Sequence, residues 1–383
     1  MSFPNSQKEE NDKIHDFRAD DCYKLCELYI KHQKELGYYD FNLSDDCIYQ
    51  LLPSINRRKK TLYLPRIAEA LFILDEIGAK DDFIYLMLAQ KMLEIDDYEQ
   101  CELFLEELEK RRADIKVSSN EQLSFAVILK LMFCVFHEYG HYFISDDEEV
   151  KKLIGECVDL MIKGLDVDID NMSLITDILC SYKQTFPERN DEIEQNRSAL
   201  ISVFLENDIY DKSKVFSSKE NTKEEYLADY FAISQLDDFF GQLGFLYNGD
   251  NVSFMAKKIL ESLSVANVIN NISRSLDDVA GLNKGMINSL VYDASRISIA
   301  VITCGTIFSI RHDIEDFFDD DYLYHLFLDK SKYLISMKGS DYYTLINEKI
   351  MFGSVNNTRD ENRIALLKNR IDEYVTALKK LYI

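Results

Sequence analysis

Proline and glycine are scarce, with four and 13 among 383 residues. A β-sandwich or barrel needs a turn roughly every 8–12 residues and uses more of both, so all-β architectures are excluded. Positive charge is short as well: 44 Lys and Arg stand against 68 Asp and Glu, a formal net charge of −24. So acidic a surface repels phosphate backbones, which argues against nucleic acid and against an anionic membrane as partners. The eight cysteines (22, 26, 47, 101, 134, 157, 180 and 304) contain no C-x-x-C pair, and several sit in apolar helical runs. There a free thiol acts as a small hydrophobe, and the usage suits a reducing cytosol. The opening residues, MSFPNSQKEENDK, hold no apolar core, so no signal peptide is expected. Ile297–Ile310 is free of charge but, at 14 residues, is too short to span a bilayer and reads as a buried helix. A Gly-rich phosphate loop, a G-x-S-x-G elbow and a dinucleotide fingerprint are all missing. These absences lead to the expectation of a soluble, cytoplasmic protein with no nucleic-acid or membrane partner.

What the chain does have is helical period. After about 16 polar residues expected to be disordered, Leu25, Leu28, Tyr29 and His32 share one face, and Ile67, Leu71, Leu74 and Ile77 another. Further helices are predicted over 82–95, 97–112, 120–145, 150–164, 172–185, 190–206, 222–243, 253–276, 284–310, 313–337 and 358–380. The fold class is therefore mainly α with at most a small β-sheet, for which Lys60–Tyr63 or Asp250–Phe254 could supply a short edge strand. Leu86–Lys110 looks like one tetratricopeptide-type hairpin, with small residues Ala89 and Cys101 allowing close helix approach. No second copy follows at that period, so an ordinary helix pair is the better reading. Asn56–Lys60, the one basic cluster, reads as a solvated helix end. Asp313–Asp321 lacks calcium-loop spacing and a central glycine and reads as an acidic helix start.

One segment carries chemistry. A dozen mostly apolar residues lead into His137-Glu138-Tyr139-Gly140-His141, an H-E-x-x-H motif. Residues i and i+4 share a helical face, so His137 and His141 can aim neutral imidazole nitrogens at one metal ion. Glu138 then lies beside the metal, where it can take a proton from a metal-activated water and pass it to a leaving amine. The chain has only six histidines, so the motif has odds of roughly one in a hundred of arising by composition. Gly140 costs the helix about 1 kcal/mol against alanine but leaves room near the backbone. A catalytic zinc needs three protein ligands and one open position, so a third ligand is required.

Glu225-Tyr-Leu-Ala228-Asp229 supplies a candidate. This E-x-x-A-D pattern resembles the second signature of gluzincin peptidases. The resemblance implies that Glu225 is the third zinc ligand, that Asp229 orients a ligand histidine, and that Ala228 permits close helix packing. Thr222 and Glu225 also form a capping box, in which Glu225 would turn back onto the backbone and Glu224 would replace it as ligand. Taken together, HEYGH and EYLADYFA are similar to soluble gluzincins of the phage-exclusion Lit type and the ImmA/IrrE type, and to the catalytic core of CAAX-processing endopeptidases. The likeness covers about 30 residues. Metzincins are excluded, because Tyr-Phe-Ile-Ser-Asp-Asp follows His141.

The resemblance implies a zinc-dependent endopeptidase acting on a specific intracellular protein, with a protein or peptide as substrate. An oxyanion stabiliser is needed, and Tyr142, His312 beside Arg311, and Arg363 are the candidates, with His312 preferred. The expected organisation is a flexible 1–17, a helical region 18–117, and a metallopeptidase domain 118–383 with a helical extension, divided softly at Ile115–Asn120. The N-terminal helices are the place for a regulatory protein partner. The alternative is a non-enzymatic helical interaction or sensor protein with a structural metal site.

Overall fold

A computed structural model describes residues 21–35, 40–45, 50–112, 121–146, 148–163, 220–245, 247–274, 284–314 and 359–382, with isolated positions between 176 and 187 and between 322 and 326. Helices dominate these residues, and one small sheet accompanies them, as the scarcity of turns requires. The expected disordered start, most of 172–185, the stretch at 190–206, most of 313–337 and the soft boundary at Ile115–Asn120 lie outside the described residues. Elsewhere the helices begin and end within four residues of where their periodicity puts them.

By their contacts the residues group into two units. The first comprises Met1–Asp146, Phe231–Ser262 and Asn356–Ile383. It begins with helix α1 (Asp21–Glu35), followed by β1 (Asn42–Ser44), β2 (Ser54–Asn56) and β3 (Thr61–Tyr63). The strands order β1-β3-β2, with β1 parallel and β2 antiparallel to β3. The residues expected at a sheet edge thus form its centre, where Leu62 is fully buried. Asp250–Phe254, the other strand candidate, is the first turn and a half of a helix.

Helices α2 (Arg66–Glu76), α3 (Lys80–Glu94) and α4 (Tyr98–Arg111) follow the sheet. Gly78, at φ 70°, ends α2: its N–H and that of Ala79 return to the carbonyls of Asp75 and Leu74. Asp97 caps α4 by accepting from the Gln100 N–H at 3.2 Å. Ala89 and Cys101 are both fully buried where α3 and α4 pack against each other as a tight antiparallel pair. On α1 the buried seam runs through Cys22, Leu25, Cys26, Tyr29, Ile30 and Gln33, while Leu28 is 45% exposed. The apolar face read from the sequence is rotated, because cysteines and a glutamine occupy core positions.

Helix α5 (Glu121–Asp146) is buried on all sides from Ala126 to Phe136. It packs on α1, α2 and β2, so the helix expected to open a second domain shares the core of the N-terminal region. Leu123–Ser145 is long and apolar enough to cross a membrane by length and composition, and 78% of that window is buried. Helix α10 (Glu361–Tyr382) closes the unit. Ile364, Leu367, Ile371, Tyr374, Val375 and Leu378 form its buried stripe against α2, α3 and α4. Asp360 caps it, accepting from the N–H groups of Asn362 and Arg363.

The second unit comprises Asp147–Tyr230 and Leu263–Val355. Its described residues include α6 (Glu148–Lys163), which packs on α9 (Lys284–His312). Two helices are shared along their length: α7 (Glu220–Gln242) and α8 (Gly249–Arg274) each have one half in each unit.

Candidate metal centre

The H-E-x-x-H motif occupies the last two to three turns of α5. Its orientation is set by the residues between the ligands. Phe136 and Tyr139 are buried against Tyr29 of α1, with ring centroids 4.4 and 5.1 Å away, and Tyr139 also meets Phe41 at 5.1 Å. Fixing that face toward the core turns the other face, with His137 and His141, to a half-exposed position. The two imidazoles stand 88° to one another, their Nε2 atoms 3.1 Å apart. Two nitrogens on one tetrahedral zinc, each about 2.0–2.1 Å from it, lie about 3.3 Å apart. The pair therefore has the spacing of two ligands of a single ion.

Helix α7 supplies the third donor. Its second half is pinned to the first unit by Phe231 on Phe143 (5.5 Å), Phe239 on Phe136 (5.7 Å), and the Tyr29 hydroxyl donating to Gln235 Oε1 at 3.2 Å. Because α7 is one unbroken helix, Glu225 stands six residues, about 9 Å of rise, before Phe231. One ligand atom each from His137, His141 and Glu225 lies within 4.8 Å of the others. Glu224 is exposed. Thr222 is inside α7, which begins at Glu220, so the cap position that would draw Glu225 back to the backbone is not at Thr222. Two neutral imidazoles and a carboxylate suit a divalent ion of borderline softness, and the donor set fits zinc.

Asp229, one turn beyond Glu225 and only 1% exposed, is held by Arg296 of α9. Arg296 Nε and Nη2 reach its two oxygens at 2.9 and 2.7 Å, a bidentate pair. Its Nη1 donates to Asn267 Oδ1 at 3.0 Å and lies 3.3 Å from Glu225 Oε2. A single buried guanidinium thus spans both carboxylates of the E-x-x-A-D motif. Arg296 went unrecognised in the sequence, where it marked only the start of a charge-free run. Its one legible signal was a lone arginine at the head of 14 residues without charge, where a long cation needs a buried partner. A second missed group is Arg57, whose Nη2 donates to the His141 carbonyl at 3.1 Å and whose guanidinium lies 5.8 Å over the Tyr142 ring.

The oxyanion candidates are placed apart. His312 is the last residue of α9, against Phe308 at 6.2 Å. Sixteen residues, about 24 Å of helix, separate it from Arg296, the residue of α9 that reaches Glu225. His312 thus stands at the C-terminal end of α9, away from the arginine that meets Glu225. Arg363 is engaged elsewhere, with Glu102 at 3.0 Å and over the Tyr98 ring at 5.4 Å, where it ties α10 to α4. Tyr142 is buried with its ring against Phe41 at 4.8 Å, one residue from His141.

A different polar cluster lies two turns earlier on α5. Lys130, 1% exposed, reaches Asp75 at 2.6 Å, Glu261 at 3.2 Å, and Glu76. Lys258 meets Glu76 at 3.0 Å and Glu261 at 2.7 Å. Burial opposes the charge on Lys130, yet Asp75, Glu261 and Glu76 outweigh it and hold the ammonium well above its ordinary range. Burial likewise opposes the charge on Glu76, and Lys130 and Lys258 overcome it and hold the carboxylate below its ordinary range.

No family model, curated protein or solved structure matches the chain.

Proposed function

We propose that the chain is a zinc-dependent endopeptidase of gluzincin type, acting on a protein or peptide substrate. The observation that carries this reading is the convergence of His137, His141 and Glu225 within 4.8 Å, beside a glutamate that is not a member of the trio. The two histidines and Glu225 hold the ion. When bound, zinc supplies Lewis-acid polarisation and brings the pKa of a water down to about 7.

The chain's own residues do the rest. Glu138, about 100° around the helix from His137, accepts the proton of the attacking water and returns it to the amine that leaves. Arg296 fixes the carboxylates of Asp229 and Glu225, so Glu225 is aimed before any ligand arrives. Strand β2 packs on α5, and its outer edge carries no partner strand among the described residues. An extended peptide added there runs past the motif helix with its backbone bonded to the sheet.

Glu138→Gln tests the assignment. The variant retains about one zinc per chain and its thermal unfolding midpoint, and loses nearly all hydrolysis, since an amide cannot accept the proton. Zinc is counted by atomic absorption and hydrolysis by mass spectrometry of quenched peptide mixtures. Full function in Glu138→Gln, with zinc still bound, would instead support a structural metal in an interaction protein.

A further inference from the structure

The basic cluster is not a helix end. Arg57, Arg58, Lys59 and Lys60 form the turn of the β2–β3 hairpin, and all four are exposed. No other four consecutive cations occur in this chain of net charge −24. The turn is built rather than loose. Lys59 N–H donates to Asn56 Oδ1 at 3.0 Å, Lys60 N–H to the Arg57 carbonyl at 3.4 Å, and the Thr61 hydroxyl to the Lys59 carbonyl at 3.1 Å. On its far side the Lys60 carbonyl accepts from Asn42 N–H at 2.8 Å, joining the turn to β1.

Two features show that the charge has a use. Lys60 sits at φ 46°, a left-handed conformation that glycine or asparagine adopts at less cost. A long cation is kept where the backbone asks for glycine, and strain of this kind points to function. In addition, among the described residues no carboxylate pairs with Arg58, Lys59 or Lys60. Arg57 fixes where they point, because its bond to the His141 carbonyl anchors the turn to the end of the motif helix.

We propose that this turn is a specificity element that selects peptides carrying a run of acidic side chains next to the segment laid along β2. The inference rests on the peptidase reading for its setting. The cations attract an anionic stretch over roughly a Debye length, about 8–10 Å, and the acidic remainder of the surface repels it, so the stretch is steered to one place. A basic peptide meets the opposite field and is rejected at the turn.

The test uses the full chain carrying Glu138→Gln, loaded with zinc so that bound peptide is not consumed. Fluorescence anisotropy follows a labelled twelve-residue peptide with four consecutive glutamates, and its counterpart with four lysines. The acidic peptide is expected to bind about 10-fold more tightly, with the difference collapsing as salt rises from about 50 to 500 mM. Arg58→Glu with Lys59→Glu reverses the preference. Lys60→Gly weakens the acidic peptide by about 2- to 3-fold while raising the unfolding midpoint, because it removes a cation and relieves strain together. Equal binding of the two peptides, or no effect of the double reversal, overturns the proposal. So does tighter binding of a twelve-nucleotide single strand with the same dependence on Arg58 and Lys59, which would make the turn a phosphate reader. Zinc content is measured in parallel on the same samples: a chain that binds no zinc yet discriminates the peptides refutes the peptidase reading and leaves the turn's selectivity standing.

Discussion

Helix α5 carries two polar clusters two turns apart, one buried and one half-exposed, and they are built on opposite principles. Around Lys130, opposite charges interleave: three carboxylates meet two ammonium groups, and each carboxylate has a cation within about 3.2 Å. Around His137 and His141, two nitrogens of the same kind face one another at 3.1 Å and a carboxylate joins them. The first arrangement is closed, since its members satisfy each other. The second converges on a point that a cation would fill. Buried polar groups that pair off hold a core together, while like donors aimed at one spot mark a ligand.

Removing a member from each cluster separates the two principles. Lys130→Ala leaves Asp75, Glu76 and Glu261 facing one another around a single lysine, and should destabilise the fold by about 3–5 kcal/mol. Urea denaturation measures this; a loss below about 1 kcal/mol would show that the cluster is screened by water. Next in size is the metal's own contribution. A 100-fold excess of zinc over its dissociation constant stabilises wild type by about 2.7 kcal/mol and leaves His141→Ala unmoved, although the metal-free proteins unfold alike. Differential scanning calorimetry with and without zinc reads both. If zinc stabilises His141→Ala equally, the ion sits elsewhere.

Arg296→Met is expected to fall between the two classes. It leaves Asp229 buried without its bidentate partner, lowering stability by about 2–3 kcal/mol, and frees Glu225, weakening zinc about 10- to 100-fold. Retention of full zinc affinity, by competition with a chromophoric chelator, would make Arg296 purely structural. The smallest effect is acid sensitivity. The Glu76 carboxyl is held below its ordinary value, so its contribution is complete above that value and disappears as pH falls through the lowered one. Glu76→Gln should therefore flatten the acid limb of a stability-versus-pH curve below about pH 5. An unchanged limb would assign acid unfolding to other carboxylates.

The helices were legible because their signal is local. Period 3.6 runs through α2, α4 and α10, the apolar run of α5 is long enough to read as a buried helix, and no long-range contact is needed to read either. The motif histidines were equally legible, for i and i+4 on a helix are neighbours whatever the fold. What could not be read was any relation that depends on which helices meet. Arg296 and Asp229 are 67 residues apart and touch only because α7 and α9 do. The Asn56–Lys60 cluster was misread as a helix end because the two strands flanking it are three residues each, too short for alternation to show. Leu28 and Cys26 exchanged places on α1 because a thiol packs as well as a leucine. Burial pushes the Cys26 thiol up to about 12, so it stays protonated and inert.

The stripe of α10 that covers α2, α3 and α4 also sets a clock. On the ribosome, α10 is made about 215 residues after α5 is complete, which at 5–20 residues per second is about 10–40 s. Throughout that interval the groove that will receive Leu367, Tyr374 and Leu378 stands open, and Glu69 and Glu102 lack the Lys379 and Arg363 they will pair with. The unit that presents His137 and His141 is thus completed late, its core sealed by residues more than 200 positions after the motif. A chain cut short before residue 361 would carry the whole motif and lack the helix that closes the core around it.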